Sequence, residues 1–321
     1  ILLLILGSVS LAAVKLVVLK MLPFDNKSEF QVVLDMPTGT ALEETSRVLH
    51  EMGAYLATVP EVTDYQAYAG SSAPINFNGL VRQYYLRSQP EMGDIQVNLL
   101  DKHHRDRKSH DVALSVRPAL AAIAAKYKAT VKVVEVPPGP PVLSPIVAEV
   151  YGPDYDGQQA LAQSIRSLFE RTPDIIDTDS TVEEDAPRLV LRIDTKKAAL
   201  AGVAQRDIVT ALRTALAGEE ITPLHDGRSR YEVPVKIGMA PEQAGSAASL
   251  MKLRVRSQDG ALVPLSELLS GGVTLREKTI HHKDLLPVSY VFGDMAGKLD
   301  SPLYGMFGMR SELAKLPLPA G

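Results

Sequence analysis

Three groups of polar side chains in this sequence could do chemistry. DKHHRDRKSHD, residues 101–111, sets His103, His104 and His110 among charges. Imidazoles can ligate a divalent cation, but no fixed ligand geometry is implied, and the charge density reads as the solvated approach to a helix. His281 and His282 are adjacent in a strand-like segment, where successive side chains point to opposite faces and cannot easily share one ion. Asp177, Asp179, Glu183, Glu184 and Asp185 form an acidic run. Carboxylates of that kind suit a hard cation, or simply an exposed turn. Ser71 and Ser72 have no base nearby in the sequence to activate a hydroxyl. Cysteine is absent, which excludes a disulfide framework, thiolate chemistry and Cys-ligated metal. The polar residues thus predict no enzyme, no metal site and no cofactor.

Apolar chemistry is better represented. AYAGSSAPINFNGLVRQYY, residues 67–85, and its approach gather Tyr65, Tyr68, Phe77, Tyr84 and Tyr85 in a chain with no Trp and only Phe 6 and Tyr 11. A surface that must hold a small molecule and release it needs apolar and aromatic area with few polar anchors. The predicted substrate-binding residues are Tyr68, Gly70, Ser71, Ser72, Pro74, Phe77, Tyr84 and Tyr85. Gly70, Ser71, Ser72 and Gly79 give the loop freedom, and Pro74 restricts it locally. The competing reading is an ordinary surface loop with two core tyrosines. A net charge of -4 over 321 residues argues against nucleic acid as a partner.

The elements that must hold this loop are given by periodicity. EFQVVLDMP reads as a strand, and Leu42, Val48, Leu49, Met52, Tyr55 and Leu56 form one apolar helical face that Pro60 closes. Thr40 with Glu43 three residues later predicts a capping box. VTDYQAYAG and GDIQVNLLD are strands, Val112, Val116, Leu120, Ile123 and Tyr127 keep helical spacing, and TVKVVEVP is a fourth strand. The order β-α-β-β-α-β predicts an α+β, ferredoxin-like fold. After PPGPPVLSP the pattern restarts with PIVAEVYG, a helix through Leu161, Ile165, Leu168 and Phe169, and the strand pair IIDTD and RLVLRID. It resumes at LLPVSYVFGD and LYGMFGMRSELAKLP after an inserted segment. It ends at Gly321 with that repeat unfinished, from which an open sheet edge is expected.

ILLLILGSVSLAAV opens the chain without charge, and with LVVL after Lys15 it reaches about 20 residues, enough to span a bilayer. It lacks the basic start of a signal peptide and reads as part of a membrane helix over residues 1–22. Lys15 and Lys20 would place the chain beyond them in the cytoplasm.

The sequence resembles the inner-membrane permease subunit of the resistance-nodulation-division (RND) efflux family. The likeness runs through the Pro-x-Gly turn in DMPTGTALEE, the strand entry PEV, RLVLRIDTKKAALAGVAQRDIVTALRTALAG, and GALVPLSELL. It implies a multidrug-type, proton-driven antiporter that works as a homotrimer with a periplasmic adaptor and an outer-membrane channel. The lipid bilayer would be that of the inner membrane of a Gram-negative-type bacterium. Most of this chain would then lie in the periplasm, against the hint from the two lysines. Residues 27–138 would be a first porter subdomain, 143–194 with 285–321 a second, and 195–284 a docking subdomain. The loop at Tyr68–Tyr85 would match the family's switch loop between two substrate pockets. Gln96 stands where a drug exporter carries an aromatic, so a polar-tipped, amphipathic substrate is expected. Of the methionine triad of metal exporters only Met36 has a counterpart, and it reads as a core residue. Alternatives are a metal or lipid exporter of the same superfamily, or a membrane-tethered ferredoxin-like binding module without transport.

Overall fold

EFQVVLD is apolar at its centre because both of its flanks are covered. In a computed structural model, which describes residues 25–136, 142–225, 227–296 and 301–318 with scattered positions among the first 17, it forms β1 (Glu29–Asp35). The chain continues through α1 (Leu42–Leu56), β2 (Val62–Ala69), α2 (Phe77–Val81), β3 (Met92–Leu99), α3 (Ser109–Lys126) and β4 (Thr130–Val134). The strands form a four-stranded antiparallel sheet in the order β2-β3-β1-β4. That is the ferredoxin-like arrangement expected from the sequence, with α2 added in the β2–β3 connection.

The two long helices cover one face. Val48, Leu49, Met52 and Leu56 of α1 and Val112, Val116, Leu120 and Ile123 of α3 pack against Phe30, Val32, Leu34, Ile95 and Val97. Each such side chain contributes about 1.5–3 kcal/mol by leaving water. Met36 belongs to this core. The predicted capping box does not form: Ala41 is the N-cap and offers no side-chain bond. The helix starts one residue later than the box requires, which leaves Thr40 just outside the cap position, where its hydroxyl donates to Pro37 O at 2.6 Å and closes the turn through Gly39.

A second fold of the same kind begins with β5 (Ile146–Tyr151), α4 (Tyr155–Arg171) and β6 (Ile175–Ser180). Asp154 caps α4, accepting from Gly157 N–H at 2.8 Å. The chain then leaves this sheet. The sequence pattern pairs the next strand, β7 (Pro187–Ile193), with β6, and in the structure the two do not pair. β7 opens a unit spanning Pro187–Arg276 that also holds α5 (Thr195–Leu200), α6 (Gln205–Ala217), β8 (Glu219–Leu224), β9 (Val233–Ile237), α7 (Pro241–Ala244), α8 (Ala247–Met251), β10 (Arg254–Arg256), β11 (Leu262–Pro264), α9 (Leu265–Leu268) and β12 (Leu269–Leu275). β7 pairs along its whole length with β12. The inserted segment therefore starts at 187 and ends at 276, earlier at both ends than the sequence pattern places it. Ile208, Leu265 and Leu268 centre its own small core.

The other unit comprises Ile1–Ala186 and Glu277–Gly321. Its second sheet is completed by β13 (His281–Lys283) and β14 (Leu286–Met295), followed by α10 (Pro302–Leu313). β14 lies between β5 and β6, with β13 on its first residues. Phe169, Val291, Ile146 and Ala162 lie at the heart of this core. The predicted membrane helix falls largely outside the described residues, and among those described no helix is long and apolar enough to cross a membrane.

Candidate functional site

Cross-strand pairing places two rows of side chains on the helix-free face of the first sheet. Tyr68 stands beside Asp94, Asp94 beside Val33, and Val33 beside Lys132. In the next row Gln66, Gln96 and Gln31 are neighbours. This face is polar where the opposite face is hydrocarbon, because alternate residues of each strand point to opposite sides. Gln31 is wholly buried, and its amide atoms find no hydrogen-bond partner among the described residues.

The loop from Gly70 to Glu91 folds back over these rows. It leaves β2 at Gly70, whose N–H donates to Met92 O at 2.8 Å, with φ +63. A Cβ there would press only on the tip of the exposed Leu42 side chain, so it is the left-handed conformation that favours glycine. Polar bonds then fasten the loop. Ala73 N–H donates to Asp94 Oδ2 at 3.2 Å, and Asn76 Nδ2 to Gln96 Oε1 at 2.8 Å. Asn76 also caps α2, its Oδ1 accepting from Gly79 N–H at 2.6 Å. Arg87 reaches Asp35 at 2.7 Å, Asp94 at 3.1 Å and Leu34 O at 2.8 Å.

Tyr84 is 8% exposed and packs between Val33 and Val134, with the Arg87 guanidinium 5.8 Å from its ring centroid. Of the predicted binding residues it is the one turned fully inward. Tyr68 is half-buried on the sheet, and Ser71 and Pro74 are exposed at the loop's start. Phe77 at 44% and Tyr85 at 43% face solvent. Ile75, Leu80 at 60% and Leu86 are exposed beside them in sequence, and the sequence pattern does not single them out. Phe77 and Leu80 are three apart on α2, which puts them on one face of the turn. That spacing is the available signal for Leu80.

Beneath the loop lies a buried network of charges. Lys132 is paired with both Asp35, at 3.0 Å, and Asp179 of the second fold. Burial disfavours the Lys132 ammonium, but Asp179 and Asp35 outweigh it and hold the group charged, far above the usual lysine range. Burial also opposes charge on Asp35, and there Lys132 and Arg87 prevail and depress the carboxyl well below the usual range. At Asp94 burial wins over Arg87, so its carboxyl is pushed up. Arg117 of α3 binds Asp177 at 2.5 Å, and burial likewise raises the Asp177 carboxyl despite that partner. Arg82 pairs with Asp294 of β14 at 3.1 Å.

Asp177 and Asp179 are therefore neither a cation site nor an exposed turn. They lie on a strand and face the cations of the first fold, while Asp185 pairs with Lys278 at 2.7 Å and Glu184 accepts from Thr38 at 3.1 Å. His110 lies 2.7 Å from Glu135, and His103 and His104 are exposed in the turn before α3. His281 meets Tyr290 edge-on at 6.5 Å. Among the described residues no three His, Cys, Asp or Glu side chains are grouped to hold a metal ion. The arrangement can present a small apolar face, carried on a rigid polar base, to an amphipathic molecule.

Known proteins place the chain further. The family model described as AcrB/AcrD/AcrF matches residues 1–320. The nickel and cobalt resistance protein CnrA of Cupriavidus metallidurans is 23% identical over 131 residues, 40% of this chain and 12% of that protein. The multidrug resistance protein MdtC of Serratia proteamaculans is 24% identical over 127 residues, again 40% of this chain and 12% of its own length. Two crystal forms of a heavy metal efflux pump superpose with a TM-score of 0.71 at 16% and 17% identity. They cover 99% and 98% of this chain, and 32% of the pump chain. At that identity the likeness carries the fold alone.

Proposed function

Because the chain belongs to the AcrB/AcrD/AcrF family, the RND permeases, we propose that it is the substrate-handling part of a proton-driven exporter of small amphipathic molecules. The two ferredoxin-like folds act as porter subdomains, and residues 187–276 act as the docking subdomain. The chain spans a small fraction of the relatives it matches. A homotrimer in the inner membrane, a periplasmic position for this part, and association with an adaptor and an outer-membrane channel therefore belong to the same proposal.

The observation that carries the cargo assignment is the exposed apolar group Ile75, Phe77, Leu80, Tyr85 and Leu86 on a loop whose underside is fastened by hydrogen bonds and ion pairs. An apolar face kept in water by a rigid base is available to a ligand and is not needed by the core. Residues 70–87 contain no Met, Cys or His, the soft donors that would receive a transition metal. This favours an organic cargo over the metal that the names of CnrA and the heavy metal pump mention. The glutamine row alongside suits a molecule with a polar end.

Binding of an environment-sensitive amphipathic dye to the detergent-solubilised protein tests this reading. Removing the Phe77 ring forfeits about 1.5 kcal/mol of apolar contact, so Phe77→Ala should weaken binding roughly tenfold. Tyr85→Ala should act in the same direction. Unchanged dye affinity in both variants would remove the loop from the cargo site.

A further inference from the structure

Ion pairs join the two ferredoxin-like folds, and those among the described residues are not equivalent. Lys132 to Asp179 and Arg117 to Asp177 connect the body of the first fold, β4 and α3, to β6 of the second. Arg82 to Asp294 connects the second fold to the loop. Arg82 follows α2 directly, and its guanidinium ties the turn bearing Phe77 and Leu80 to Asp294 of β14. Both side chains are nearly excluded from water, at 7% and 11% exposure. Asp294 is also aimed. The β6–β14 register shifts between Phe292 and Asp294, and such an irregularity redirects a strand side chain. Ser144 Oγ, 3.0 Å from Asp294 Oδ1 and 2.8 Å from Gly293 O, holds that redirected segment.

Other fastenings of the loop go to its own fold: Ala73 to Asp94, Asn76 to Gln96, Arg87 to Asp35 and Asp94 on the sheet, and Pro90 O to the Thr45 hydroxyl of α1. They bracket α2 on both sides of the sequence. Between them, α2 leans on the second fold through Arg82. The guanidinium is not saturated: its Nε is buried without an acceptor among the described residues. Arg117 Nε is in the same condition, and both arginines line a polar cavity of about 10 Å³ together with His110, Glu135 and Asp294. That is room for about one water molecule, which could take over donors as the seam parts. A buried pair of this kind gains little stability over apolar side chains of similar volume.

We infer that Arg82 and Asp294 form a clasp that ties the apolar turn to the second ferredoxin-like fold, so that displacement of this fold relative to the first moves the Phe77–Leu80 face. Arg82 is a positioning residue: it does not meet cargo, and it sets where the cargo-bearing turn stands. The assignment of Phe77 and Leu80 to cargo rests on the function proposed above, but the mechanical coupling does not.

Amide hydrogen exchange on the full chain in detergent, with and without the clasp, separates the two. Arg82→Gln should speed exchange of amides 77–86 at least tenfold while amides of α3 keep their protection. Arg117→Gln, which removes a cross-fold pair outside the loop, should leave amides 77–86 unchanged. If Arg82→Gln leaves too little folded protein, the combination of Arg82→Leu with Asp294→Leu removes both charges together and should show the same loop release. Loop exchange unaltered by loss of the clasp overturns the inference, as does equal acceleration by Arg117→Gln. Dye binding measured in parallel distinguishes the claims. A loop that is released while dye affinity stays the same supports the clasp and counts against the cargo assignment.

Discussion

Tyr84 and Tyr85 are neighbours in sequence and face opposite ways. Tyr84 fills the space between Val33 and Val134, and Tyr85 stands in water. The left-handed backbone at Gln83, φ 59, immediately precedes this pair, and a short 3₁₀ turn carries it. Composition could gather the aromatics of this loop but could not sort them, because sorting depends on which side chains the returning loop covers. Truncation should sort them by experiment. Tyr84→Ala should lower the unfolding free energy by about 3–5 kcal/mol, the cost of emptying a buried aromatic site. Phe77→Ala should change it by no more than about 0.5 kcal/mol, as for an exposed side chain. Denaturant titration reads both, and similar costs would contradict the assignment of one residue to the core and the other to the surface. Gly70→Ala places a side chain on a left-handed backbone, and should cost about 1–3 kcal/mol on the same scale.

At the scale of elements, strands and helices of the first fold were legible because their apolar residues alternate or recur every third or fourth position. Strand partnership was not. RLVLRID alternates in the same way whichever strand it joins, and its partner LSGGVTL lies far along the chain. The acidic run was misleading for a related reason: Asp177 and Asp179 look solvated until the cations from α3 and β4 are brought to them. The pairing of β1 with β4 has a consequence in acid. Asp35 titrates well below its unfolded value of about 3.9, so the folded state holds its proton less tightly than the unfolded chain does. Its stabilisation is complete above that pH and declines as pH falls through it. The stability difference between the native protein and Asp35→Asn should therefore be largest near neutrality and shrink steadily below about pH 4. A difference constant from pH 7 to pH 3 would mean that the Lys132 and Arg87 contacts to Asp35 do not persist in solution.

In the molecule as a whole, the ferredoxin-like repeat was readable because the β-α-β opening of the first fold recurs from β5, whereas the bounds of the insertion were not, since β7 reads as a strand of the second fold and in the structure opens the inserted unit. The ion pairs joining the two copies were not readable, since their partners lie on segments that no local pattern relates. Those pairs give the first copy its particular character: the polar face of one sheet is closed by a loop whose inner side is ionic and whose outer side is apolar. If that outer side handles cargo for an exporter, making it polar must impair export. Efflux of an amphipathic dye from cells making the native chain, compared with cells making a variant that carries both Phe77→Ser and Leu80→Ser, measures this. An efflux rate at least about tenfold lower at equal protein level in the membrane is expected, since two apolar contacts of roughly 1 kcal/mol each are removed. Unchanged efflux for a panel of dyes that the native protein exports would contradict the assignment of this loop to cargo.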